Sequence, residues 1–227
     1  MNNENLYKQF CSYMEIFEKL SSQDPDFLKD EIFGIRGEGL TRLQDMYKEL
    51  VDSYEITKSF KGKILEKIAE FLMLQNRMYT VTSNLRDSCN EIDVLARMND
   101  LGKIQTAILP EFLQKNKDII IECKNYKSNI GVTWIGKFYC LLQQRDLKLG
   151  IIFSYFPLSG RGEWDSAKGL IKKIYLKDGI IILNVCKEDI QKIVDSKTNI
   201  LKILNKKYND LVYFTDVDKN KTKHPAM

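Results

Sequence analysis

The 227-residue sequence predicts an α/β fold: a central sheet covered by helices and preceded by a helical appendage. Three observations lead there. Short β-like runs stand at 78–82, 91–98, 118–123, 149–156 and 179–185, the third and fifth built on triple isoleucines. Segments of helical periodicity separate the later runs, the alternation that makes a sheet covered on both faces. The first 60 residues read as helix alone.

Residues 3–20 (NENLYKQFCSYMEIFEKL) and 40–58 (LTRLQDMYKELVDSYEITK) space Leu, Met, Phe, Tyr and Val three and four apart, as amphipathic helices do. Between them SSQDPDF and GIRGEG read as punctuation. GKILEKIAEFLMLQNR (62–77) opens the second unit as a helix with Ile64, Leu65, Ile68, Phe71 and Leu72 on its apolar face and Glu66 and Glu70 four apart beside it. The least legible region, NDLGKIQTAILPEFLQKNK (99–117), reads as a loop with a short helix between two adjacent strands. VTWIGKFYCLLQQRD (132–146) and EWDSAKGLIKKIYLK (163–177) are helical by period, and one or two closing helices end the domain. The expected division is a helical appendage at 1–60, an α/β domain at 61–212 and a polar tail at 213–227.

Composition excludes several classes of function. With 44% hydrophobic and 29% charged residues and four prolines, the chain is an ordinary globular one rather than disordered or fibrous. Apolar runs fall short of the ~20 residues that span a bilayer, so no membrane association is expected. MNNENLYKQF carries no secretion pattern, and five cysteines (11, 89, 123, 140, 186) without a CxxC pair fit reduced thiols, so the expected location is cytoplasmic. The single histidine, His224, lies in the polar tail, so chemistry that needs a histidine base or histidine metal ligands is not expected. Charge is uneven: residues 1–60 hold 7 Lys/Arg against 12 Asp/Glu, residues 113–177 hold 12 against 5. The basic half reads either as a docking surface for a polyanion or as lysines solvating helix faces.

The stretch DIIIECK carries the chemistry. Alternate side chains of a strand share a face, so Glu122 and Lys124 project together and Cys123 points away. Asp93 sits inside another strand-like run, between Ile92 and Val94. Burying each such charge costs several kcal/mol unless a partner or a metal ion neutralises it. The plain reading is a strand-end ion pair with Asp93 capping a turn. The richer one is a hard oxygen site for Mg²⁺ made by Asp93 and Glu122, with the Cys123 backbone carbonyl as a further ligand. A lysine beside it orients or deprotonates a water, or balances charge on phosphorus.

The ordered set of Glu66 in GKILEKIAEFL, Asp93 in NEIDVLAR and Glu122-x-Lys124 in IIIECKNY resembles the PD-(D/E)XK nuclease superfamily, near its Mrr-type restriction endonuclease branch. The later GIIFSYFPLSGRGEWDSAKGLIKKIYLKDGIIILNVCKEDI is similar to that branch's following strand, helix and strand, so the likeness covers about residues 60–205. It implies a restriction-endonuclease-like core, a central mixed sheet flanked by helices. It also implies metal-dependent endonucleolytic hydrolysis of DNA, in restriction or defence against phage. By resemblance, Asp93 and Glu122 hold Mg²⁺ (Mn²⁺ substituting), Lys124 serves the attacking water, and Glu66 is a ligand directly or through water. Glu91 is a lesser candidate, and Glu70 belongs to the surface. Lys127, Lys137 and Arg161 are expected to contact nucleic acid, and Trp134 to belong to the core. The expected partners are DNA, a second copy in a homodimer, and a regulatory protein docked on the N-terminal helices. The rival reading is a catalytically inactive member of the fold that binds nucleic acid or a protein. One feature stands apart from a tight hairpin: 28 residues separate Asp93 from Glu122, and the metal site requires their strands to be neighbours.

Overall fold

Runs rich in β-branched and aromatic residues form strands because such side chains fill a pleated surface, and a computed structural model of the chain places all five runs in one sheet. It describes residues 3–52, 58–75, 77–86, 91–160 and 166–213. The strands are β1 (Tyr79–Arg86), β2 (Glu91–Met98), β3 (Asp118–Lys124), β4 (Leu149–Ser154) and β5 (Ile181–Cys186), in spatial order β1-β2-β3-β4-β5. The first three are antiparallel and the last three parallel, so the sheet is mixed. The parallel half needs crossovers. These are α7 (Val132–Gln144) and α8 (Ala167–Asp178).

β2 and β3 are direct neighbours, Val94 opposite Ile121 and Arg97 opposite Asp118. The long connection between them holds α5 (Asp100–Ile104), a 3-10 turn at Thr106–Ile108 and α6 (Glu111–Lys115), three short pieces where one was expected. Asn99 starts the first by accepting the Gly102 N–H at 2.9 Å.

Ile119, Ile120 and Ile121 are fully buried, so β3 is covered on both faces. One cover is α4 (Lys58–Leu74), which crosses β1 to β4. The other is α7, held close to β4 because Gly150 has no side chain: a Cβ there would stand 2.6 Å from the Phe138 ring. α8 ends at Gly179, whose left-handed φ of 65° lets its N–H return to the Tyr175 carbonyl. This residue is a helix cap, not the start of β5.

Before α4 come α1 (Asn3–Gln23), α2 (Pro25–Phe33) and α3 (Gly37–Asp52). The punctuation expected at 21–27 is instead the joint between two helices: Asp24 accepts the Phe27 N–H at 2.9 Å and Pro25 takes the first turn. Leu43 and Leu50 of α3 are fully buried and belong to the same apolar cluster as the sheet, whereas α1 buries no residue. The chain closes with α9 (Lys187–Val194) and α10 (Ile200–Tyr213). The expected tail, apart from Tyr213, lies outside the described residues. Among the described residues no helix is long and apolar enough to cross a membrane.

Candidate functional site

β3 supplies two of the candidate residues and β2 the third. The regular β2–β3 pairing stops at Val94–Ile121, and there the Asp93 side chain continues it: Oδ2 accepts the Cys123 N–H at 2.7 Å. Asp93 is thereby fixed beside the end of β3. Strand alternation sends Glu122 and Lys124 to the face of α7 and Cys123 to the opposite one. Lys124 Nζ bonds Glu122 Oε1 and stands 3.8 Å from Asp93 Oδ2, with the Lys124, Glu122 and Asp93 side chains each only 16% exposed.

This trio is both matched and incomplete. Burial pushes the Glu122 carboxyl pKa up, Lys124 opposes that rise and the Asp93 charge reinforces it. Burial opposes the Lys124 charge in turn, yet the Glu122 and Asp93 carboxylates outweigh it and hold the ammonium above its ordinary range. The second carboxylate oxygen, Glu122 Oε2, is buried and finds no hydrogen-bond partner. A buried acceptor left in that state is uncommon and wants a cation or a donor.

Glu66 on α4 is half-buried and approaches from the other side. Its carboxyl pKa is raised by burial and then by the Asp93, Glu70 and Glu91 charges. Among the described residues, no three His, Cys, Asp or Glu side chains gather closely enough to hold an ion, so Glu66 is near Asp93 without closing a three-carboxylate cage. Glu70 accepts a hydrogen bond from Ser83 of β1. Glu91 pairs with Arg86 at 2.9 Å while lining the cleft beside Glu122. Cys123 is buried, and burial followed by the Asp93 and Glu66 charges drives its thiol pKa well up, the opposite of what a nucleophile needs.

The cleft, about 100 Å³, is bounded by Glu91, Glu122, Lys124, Trp134, Lys137 and Phe138. Trp134, expected in the core, is partly buried: it packs against the core cluster and at the same time forms the rim of the cleft. Its ring stacks on Tyr126 at 5.2 Å, with Lys124 Nζ 5.0 Å and Lys137 Nζ 4.6 Å from its centre. The indole therefore carries two ammonium groups on its electron-rich faces. The signal for this was the Trp134/Lys137 spacing, one helical turn. Tyr126, which had no expected role, is the companion aromatic. Lys137 and Lys127 are exposed, Lys127 on the loop after β3. Arg161 lies outside the described residues.

The donor chemistry fits a hard divalent cation: two carboxylates at one strand end, one with an unpartnered buried oxygen. No family model and no curated protein matches the chain. Among solved structures it is similar to the DNA modification-dependent restriction endonuclease AspBHI, at 11% identity and a TM-score of 0.39. The likeness covers 79% of this chain and 41% of that protein, so the chain spans about two fifths of its length.

Proposed function

We propose that the chain is a metal-dependent endonuclease of the restriction-endonuclease-like kind, hydrolysing DNA phosphodiester bonds. The observation that supports this best is Glu122 Oε2, buried without a partner beside Asp93 and Lys124 at the end of the central strand. Asp93 and Glu122 would hold Mg²⁺ or Mn²⁺, with the Cys123 carbonyl as a further ligand and Glu66, which does not close the cage, reaching the cation through water. A cation so held supplies an acidified water and offsets charge growing on phosphorus.

The protein's own groups do the remaining work. In the cation-free chain the Glu122 and Asp93 carboxylates hold the Lys124 ammonium above its ordinary range; beside the cation Lys124 would serve the attacking water or stabilise charge growing on phosphorus. The Trp134 ring backs that ammonium, and Lys127, Lys137 and Arg161 would steady the DNA backbone by contacts to phosphate. Lys124→Ala is expected to lower plasmid cleavage in Mg²⁺ or Mn²⁺ by about a hundredfold or more, while calorimetry still detects cation binding. Cleavage that survives in both Lys124→Ala and Glu122→Gln would remove the assignment.

A second reading draws on a specific feature. Lys124 already neutralises the carboxylates, as it would in a fold that binds nucleic acid or a protein without cutting. Absence of cation binding in the unmodified chain, with DNA retention intact, would favour it.

A further inference from the structure

α1 is an amphipathic helix whose apolar side is largely exposed; among the described residues its neighbour is α2, and Phe17 and Leu20 near that joint are half-buried. Over 21 residues it buries none, although Leu6, Tyr7, Phe10, Tyr13, Met14 and Ile16 are 42 to 67% exposed. Soluble proteins rarely leave so continuous an apolar stripe in water unless another surface meets it.

The spacing says what kind of surface. Leu6, Phe10, Tyr13, Phe17 and Leu20 recur at intervals of four, three, four and three, the heptad rhythm of a helix seam. The positions flanking it are Tyr7, Gln9, Met14 and Ile16, none of them charged. All the charges of α1, Glu4, Lys8, Glu15, Glu18 and Lys19, fall on the remaining positions, and Glu4 and Lys8 pair there at 3.1 Å. A copy of the same helix laid along this seam meets no like charge.

We propose that α1 is a self-association helix through which two copies of this chain pair. Aromatic side chains bring about 150–250 Å² each, so the half-exposed stripe offers roughly 600 Å² per copy. Two copies would bury about 1,200 Å², the lower end of stable interfaces. A bilayer is a poorer fit, because the polar side of α1 carries three glutamates against two lysines, whereas membrane-lying helices are rich in basic residues there. Since Phe10 and Tyr13 are exposed and lie outside the buried core, they can be altered without touching the fold.

The test is sedimentation and light scattering of the full chain. The range extends to roughly 100 µM, because interfaces of this size hold at micromolar concentrations or below. The unmodified chain is expected to be dimeric. The double variant Phe10→Glu/Tyr13→Glu should be monomeric with unchanged circular dichroism, and Ser12→Glu, on the polar side, should remain dimeric. A chain monomeric throughout the range, or an oligomer that survives the double variant, overturns the proposal. So does a monomer that binds anionic vesicles through Phe10 and Tyr13, which would assign the stripe to a membrane surface.

Discussion

Asp93 does structural and electrostatic work with the same oxygen: Oδ2 accepts the Cys123 N–H and faces the Lys124 ammonium. Asp93→Ala strands a buried donor, which costs about 1–3 kcal/mol. Asp93→Asn retains an acceptor for that donor. The urea midpoint should therefore fall in the alanine variant and move far less in the asparagine one, while calorimetry shows cation affinity lost in both. At this scale much of the site was legible. Glu122 and Lys124 share a face because strand parity demands it, and an Asp inside a strand asks for a partner. Trp134 was not legible, because helical periodicity reports which residues are apolar and not which of them sits at the rim of the buried stripe. The Glu66 position was readable, but its separation from the other two carboxylates depends on how α4 crosses the sheet, and no local pattern encodes that.

The short elements were the hard ones for the sequence. α2 was hidden because Asp24-Pro25 looks like a turn, although the same dipeptide is a cap followed by a first-turn proline. The 99–117 connection resolves into pieces of only three to five residues, too short for any apolar period to show. The strands and long helices were clear because burial imposes a repeat on them. The start of α9 shows what joins such elements at the far edge of the sheet. Asp189 accepts the Cys186 N–H at 3.0 Å and pairs with Lys207 of α10 at 2.8 Å, so one carboxylate ties β5, α9 and α10 together. Burial opposes its charge, but Lys207 and the hydrogen bonds prevail and hold its pKa below the ordinary 3.8. With the folded value depressed, the stabilisation is full above about pH 3.8 and is lost as pH falls through the folded value. Asp189→Asn should cost about 3 kcal/mol at neutral pH. It should also flatten the acid limb of the denaturation profile, read as the midpoint difference between the two proteins.

Across the whole molecule, the N-terminal helices are unequal partners. α3 shares its core with the sheet through Leu43 and Leu50, while α1 shares none of it. At concentrations dilute enough to keep both proteins monomeric, removing residues 1–23 should leave the thermal midpoint of the core nearly unchanged. Removing residues 1–52 should cost several kcal/mol, since each large buried leucine is worth about 2–5 kcal/mol. Circular dichroism melts of the two truncations check this. The mixed sheet also bears on the order of assembly. Asp93, Glu122 and Lys124 belong to the antiparallel pair β2 and β3, and Trp134 and β4 follow them in the chain. If that pair docks first, desolvation by α7 and β4 falls on charges already matched, which is the cheapest order in which to bury them.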